Sequence, residues 1–268
     1  MPPQLSTNPR TLYTRLGFGT VTCQGHLICS KMQQSIYYHI VQQNLVNRLA
    51  TLLHLNVHTL LDWVNWQTLK KARTECSHQM RIFMIKWVSG DTATGVVMFK
   101  RKQRLSPGCP LCPHLTEDTT HILQCPSSSS CELRTHLLEE LQCWMTSVNT
   151  HPDIIHFIIS GLSAWGSSLP FVLDTCIDAS LLCAFKTQLT LGWEALLFGL
   201  LVSPIISYQH SYYKALGSRK SGVRWGVNLI DKLCNFIFQL WNDRITFFVS
   251  PQLYPVSVDL PNLKMPSS

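Results

Sequence analysis

The residues best suited to chemistry in this 268-residue chain are cysteine and histidine side chains between positions 109 and 125. Cys109 and Cys112 form a C-x2-C pair. His121 follows after a gap of eight residues, and Cys125 follows after a further gap of three. Thiolate sulfur and imidazole nitrogen are the ligands that Zn2+ takes in tetrahedral protein sites. The spacing therefore predicts a zinc site of the Cys3His type.

The same spacing fits coordination of a single ion. A two-residue gap lets both thiolates of a tight turn point inward, and the proline after each cysteine stiffens that turn. His121 and Cys125 lie four positions apart, which places them on one face of a helical turn. Four protein ligands leave no position for a catalytic water, so we expect a structural site. His114 is the competing ligand, although it lies too close to Cys112 to close the tetrahedron without strain.

The positive charge of the chain is concentrated directly ahead of this cluster. Residues 70–108 hold nine basic and two acidic side chains, which equals the net charge of +7 for the whole chain. Lysine and arginine bind phosphates through charge, and arginine adds a forked pair of hydrogen bonds. We expect RNA or DNA as the partner of the KRKQR segment, through Lys100, Arg101, Lys102 and Arg104.

A second interpretation of this basic stretch is a solvated face that keeps a hydrophobic domain soluble. Three aromatic residues, Phe83, Trp87 and Phe99, interleave with the charges and could serve as platforms for base stacking. For Trp87, packing in the core is the simpler expectation.

The chain resembles a known family in this region. The run KWVSGDTATG at 86–95, the CPLC motif and the EDTTHIL stretch before a Cys-Pro pair resemble the zinc-binding region downstream of reverse transcriptases in non-LTR retrotransposon polyproteins. Weaker similarity extends over roughly residues 60–245. The resemblance implies zinc as cofactor, a nucleic acid as partner, and contacts with other regions of such a polyprotein. One departure is Ile245 after Arg244, where relatives tend to carry Asn with a nearby His.

The acidic residues argue against catalysis. Polymerases hold two Mg2+ ions with clustered aspartates, and no two aspartates are adjacent among the nine in this chain. Asp174 and Asp178 share a predicted helix face, where a solvated pair is the simpler interpretation. We therefore expect a non-catalytic module that binds zinc and RNA or DNA. Three alternatives stay open: a protein-interaction module held together by zinc, a non-functional retroelement relic, and an enzyme whose site the sequence does not reveal.

The fold predicted from hydrophobic spacing is mainly α, a helical bundle-like domain with a small zinc-stapled loop of CCHC type in the middle. Hydrophobic residues make up 46% of the chain, which excludes general disorder. Predicted helices cover 31–56, 58–73, 77–88, 131–145, 153–165, 171–191, 193–202 and 223–248, with 94–104 a short helix or strand. The predicted regions are a loose arm at 1–30, a helical region with the basic segment at 31–105, the zinc loop at 106–127, a second helical region at 128–250 and an extended tail at 251–268.

Cysteine content and the N-terminal residues predict an intracellular protein, without distinguishing nucleus from cytoplasm. Eleven cysteines are an odd number in a long chain, and residues 1–10 lack the apolar core of a secretory signal. The strongest candidate for a membrane span is 192–208, yet its uncharged run before Pro204 is about a dozen residues, whereas a span needs about 20. We expect no membrane partner.

Overall fold

The structure is a computed structural model that describes residues 15–16, 20–23, 26–28, 44, 46–173 and 177–249, of which the strand residues and 247–249 are described by their backbone alone. The chain divides into two compact units, Met1–Trp63 and Val64–Ser268. The described residues are mainly α-helical, which confirms the predicted fold class.

Within the first unit, the described residues form three short strands and two helices. Strands β1 (Arg15–Leu16), β2 (Thr20–Cys23) and β3 (His26–Ile28) form an antiparallel sheet in the order β1-β2-β3. The prediction of a loose arm at 1–30 did not include these strands. Helix α1 includes residues 46–52, and α2 follows at Val57–Trp63. The predicted tail at 251–268 lies outside the described residues.

Helices of the second unit begin at side chains that the sequence places there as caps. Asn65, Ser77, Thr94, Asp118 and Ser127 each accept a hydrogen bond from a backbone N–H of the helix that follows. These helices are α3 (Trp66–Glu75), α4 (His78–Ser89), α5 (Gly95–Lys100), α6 (Thr119–Gln124), α7 (Ser128–Ser147), α8 (Pro152–Gly166), α9 (Ala179–Leu191), α10 (Trp193–Leu197), α11 (Ser203–Ala215) and α12 (Gly222–Val249).

Helix α12 organises the core of the second unit. It contacts α3, α4, α6, α7, α10 and α11 along its 28 residues. Its buried side chains recur at intervals of three and four positions, as in Ile230, Leu233, Ile237 and Leu240. Because α6 carries one of the predicted metal ligands, its packing against α12 ties the metal loop to the helical core.

Three helix predictions were wrong in their extent. The predicted helix 58–73 is interrupted at Val64, which pairs with Val202 as an isolated antiparallel bridge. The predicted helix 193–202 ends at Leu197, since the side chain of Gln188 bonds the backbone of the following segment, accepting from Val202 N at 3.1 Å and donating to Leu200 O at 3.2 Å. The predicted helix 171–191 is described as helical only from Ala179.

Helix α11 was missed by the sequence analysis, and it shares the 192–208 stretch with α10. None of the helices in the described ranges combines the length and the apolar character needed to cross a bilayer.

Candidate metal centre

The four predicted ligands meet in one cluster. One ligand atom each from Cys109, Cys112, His121 and Cys125 lies within 4.8 Å of all the others. Cys109 Sγ and Cys125 Sγ are 3.8 Å apart, and Cys112 Sγ is 3.3 Å from His121 Nε2. A tetrahedral ion with metal–sulfur bonds of about 2.3 Å separates two sulfurs by about 3.8 Å and a sulfur from a nitrogen by about 3.5 Å. The cluster therefore has the dimensions to hold one metal ion.

The C-x2-C half of the cluster is shaped by backbone hydrogen bonds. The N–H of Cys109 donates to His114 O at 2.9 Å, which closes the turn that contains both cysteines. The N–H of Leu111 points at Cys109 Sγ, 3.4 Å away, as an amide does toward a thiolate. Both sulfurs consequently face inward.

The second half of the cluster is presented by α6. Asp118 caps this helix by accepting the N–H of His121 at 2.7 Å. Ile122 and Leu123 are buried, and Cys125, 2% exposed, follows directly after the helix end. The buried pair fixes the orientation of α6, so that the side chains one turn apart project to the same side.

The competing ligand His114 lies beside the cluster. Its ring stacks on His121 with centroids 4.3 Å apart, and its Nδ1 is 2.6 Å from Thr116 O. The stacking against His121 restrains the orientation of its ring.

The thiols of Cys109 and Cys125 share one proton. This hydrogen bond lowers the pKa of Cys125 and raises the pKa of Cys109.

Two groups of cationic side chains lie near the metal cluster. Arg134, 5% exposed, donates to Leu123 O at 3.0 Å, to Cys125 O at 3.4 Å and to Cys131 Sγ at 3.3 Å. A divalent ion with three thiolates carries a net charge of −1, which a buried guanidinium complements.

The second group is a buried carboxylate held by arginines. Glu117 lies within the metal loop and is fully buried. Arg244, 3% exposed, reaches both of its oxygens from α12 in a forked pair. Arg104 donates to Oε2 at 3.1 Å, and the N–H of Gly95 does so at the same distance. Burial lowers the pKa of Arg244 to about 10, which leaves it charged at neutral pH.

Gly95 permits this approach because it has no side chain. A Cβ at this position would lie 2.5 Å from Pro107 O and 2.8 Å from Glu117 Oε2. The N–H of Glu117 also donates to Pro107 O at 2.8 Å. Helix α5, the metal loop and α12 are thus joined at one carboxylate.

The four basic residues predicted to contact phosphates are separated by the fold. Lys100, Arg101 and Lys102 are exposed at the end of α5. Arg101 lies 3.7 Å from exposed Asp91. Arg104, by contrast, points inward, with a side chain only 17% exposed beside Glu117. The guanidinium of Arg104 therefore binds the buried carboxylate of Glu117 and is not available for a contact at the surface.

The aromatic residues in the basic stretch divide in the same way. Phe83 and Trp87 are buried, whereas Phe99 is 47% exposed next to Lys100. Only Phe99 of the three is available to stack on a base. Among the acidic candidates, Asp174 lies outside the described residues, and Asp178 caps α9, where hydrogen bonds from Ser180 and Leu181 lower its pKa.

The sequence analysis missed Glu117 and Gly95 as parts of this site and noted Arg244 only for the residue that follows it. The one local signal was a pair of adjacent acidic residues, Glu117 and Asp118, between the two ligand pairs of an otherwise acid-poor stretch.

Comparison of this chain with protein-family models, with curated proteins and with solved structures finds no match. A functional proposal therefore rests on the geometry of the metal centre and of the surface beside it.

Proposed function

We propose that this protein is a non-catalytic zinc-binding module that binds RNA or DNA through the basic surface at the end of α5. The observation that carries the proposal is the link between metal loop and basic segment. Glu117, between the two ligand pairs, holds Arg104, and Lys100–Lys102 project from the adjoining helix end. The metal loop thus positions the cationic side chains.

Zinc is the ion that this donor set favours. Three thiolates and one imidazole are soft and borderline ligands, which suit Zn2+ and exclude Mg2+ or Ca2+. The four donors complete a tetrahedron, so the role of the ion is structural. The loop also needs such support, since Leu105 is 100% exposed and Leu115 is 83% exposed, and neither contributes to a core. Reduced thiols of this kind persist inside cells, and we place the protein there.

The basic surface has the properties of a phosphate-binding site. The exposed side of the end of α5 carries Lys100, Arg101 and Lys102 against one exposed carboxylate, that of Asp91, which pairs with Arg101. Exposed Phe99 adjoins the lysines and offers a ring face to a base. The resemblance of the metal loop to the zinc-binding region of retrotransposon polyproteins supports the same assignment.

The test is a salt titration of binding to 20-nucleotide RNA and DNA. Each neutralised phosphate contributes about 0.7–0.9 to the slope of log K against log salt. Lys100→Gln with Lys102→Gln should lower that slope by about 1.4–1.8. The control, Lys186→Gln with Lys232→Gln, removes the same charge from exposed positions on α9 and α12 and should leave the slope unchanged.

A second candidate function is a protein-interaction module in which zinc only holds the helices together. It is favoured by Ile82 and Ile85, which are 42% and 62% exposed and lie one turn apart on α4. If the wild-type protein shows no salt-dependent binding to RNA or DNA, the protein-interaction module is the better supported function. Mg2+-dependent primer extension by the pure chain would contradict both, because each is non-catalytic.

A further inference from the structure

A second cationic surface forms where two helix ends, far apart in sequence, are joined by an ion pair. Glu75 is the last residue of α3, and its carboxylate pairs with Arg224 in the first turn of α12. Two residues further along α12, a Cβ at Gly226 would lie 3.0 Å from Thr68 Cγ2 in the first turn of α3, so the start of α12 packs against α3. The ion pair places the first turn of α12, which follows the α11–α12 turn, beside the end of α3, which precedes the α3–α4 turn.

Charge at this junction is almost entirely positive. Residues 203–230 contain no acidic side chain, and Glu75 is the only one in residues 66–90. Glu75 is itself exposed, and its charge is balanced by Arg224. Exposed basic side chains of the α11–α12 turn and of the helix segments that flank the two turns include Lys71, Arg81, Lys214, Arg219, Lys220 and Arg224. We call this set the turn surface.

Local contacts hold the turn surface in place. Arg81 donates to Thr74 O at 3.3 Å and to Cys76 O at 3.4 Å, across the α3–α4 turn. Lys220 Nζ donates to Val148 O at 3.0 Å, which anchors the α11–α12 turn to the end of α7. The cations therefore project from a fixed backbone, and a bound anion does not have to order it.

The turn surface and the end of α5 lie at opposite ends of α4. Arg101 is beside Asp91, just after the C-terminal end of α4, and the α3–α4 turn precedes its first residue. The 12 residues of α4 span about 18 Å. Exposed Lys86 lies in the last turn of α4, near the end that adjoins Arg101. A duplex strand carries one phosphate per about 3.4 Å of axis, so about five nucleotides bridge that distance.

We infer that the turn surface is a second phosphate-binding surface, which contacts the same RNA or DNA strand that the end of α5 binds. The inference rests on the proposed function. A polyanion with regularly spaced charges engages both ends of α4 at once, whereas a compact acidic group engages only one. The footprint on the nucleic acid is then at least about five nucleotides.

The experiment uses the zinc-loaded full chain, 20-nucleotide RNA and DNA in single-stranded and in duplex form, and the same salt titration. Lys214→Gln with Arg219→Gln should lower the slope by about 1.4–1.8, and combination with Lys100→Gln and Lys102→Gln should about double that loss. Zinc content and helical circular dichroism should stay at wild-type values, because Lys214 and Arg219 are exposed and are not metal ligands. The control is again Lys186→Gln with Lys232→Gln.

The outcomes separate this inference from the proposed function. A slope lowered by the α5 pair alone overturns the turn surface and leaves the proposed function standing. A slope lowered by Lys214→Gln with Arg219→Gln alone overturns the proposed site at α5, and with it the inference that one strand contacts both surfaces. An equal loss in the control pair overturns both surfaces, since bulk charge then explains the slope. No salt-dependent binding by the wild type also overturns both.

Discussion

Of the contacts described above, those of the Glu117 carboxylate should lower the free energy of unfolding the most when they are removed. Glu117→Gln keeps the shape of the side chain but removes the negative charge that faces Arg244 and Arg104. Glu117 is 0% exposed and Arg244 is 3% exposed, so water cannot replace the lost partner. Breaking a buried ion pair at one partner destabilises by about 3–5 kcal/mol. At about 2–4 °C per kcal/mol for a unit of this size, Tm should fall by about 6–20 °C.

The measurement is thermal unfolding of the zinc-loaded protein, followed by helical circular dichroism. Glu139→Gln is the matched control, because Glu139 is exposed on α7, and it should change stability by less than about 0.5 kcal/mol. The double variant Glu117→Gln with Arg244→Met should recover part of the loss, since it removes the unpaired cation as well. Zinc stoichiometry should stay at that of the wild type, because Glu117 is not among the four ligands.

A change in the free energy of unfolding below about 1 kcal/mol for Glu117→Gln would refute this prediction, since it would mean that water reaches the ion pairs of Glu117 with Arg244 and Arg104. The same holds if the double variant is less stable than Glu117→Gln alone, because the two residues would then act independently.

Two further predictions concern the metal and the pH dependence of stability. Cys112→Ser should lose the single zinc ion and the hydrogen-exchange protection of residues 105–127, as measured by metal analysis and exchange mass spectrometry. The control Cys143→Ser, at an exposed cysteine, should retain both. Zinc retained by Cys112→Ser would disprove the ligand assignment. Burial raises the pKa of Glu194 above 4.5, so the unfolded chain releases the Glu194 proton at a lower pH than the folded chain does. The free energy of unfolding therefore falls as pH rises through the raised pKa. Glu194→Gln should therefore have a higher Tm than wild type at pH 7.5, with a gap that narrows toward pH 5; a gap independent of pH would count against burial as the cause.

Local features of this protein could be predicted from the sequence because they depend on neighbours in the chain. The four ligands lie within a short stretch, and spacing alone places Cys109 and Cys112 on one turn and His121 and Cys125 on another. Helix starts were equally local, as in the cap by Ser77 before α4, although α7 begins three residues before its predicted start at 131. The mainly α fold followed from the helical period of the hydrophobic residues.

Helix ends that depend on distant contacts could not be predicted in this way. The break at Val64 exists because Val202 pairs with it, and α10 ends where Gln188 binds the next segment. Asn65, which caps α3, and Gly199, whose φ is +84°, lie inside these two predicted helices, but the hydrophobic spacing continues past both, so spacing alone extends each helix too far.

Only the tertiary structure decided which charges face solvent. Glu117 and Arg244 are 127 positions apart, and they meet because α12 packs against α6. That contact draws Arg104 inward and leaves Lys100–Lys102 outside, although all four belong to one basic run. In the same way, Glu75 meets Arg224 across 149 positions. The sequence determines how much charge the chain carries, but the burial of one carboxylate depends on helix docking, because only packed helices exclude the water that would otherwise solvate it.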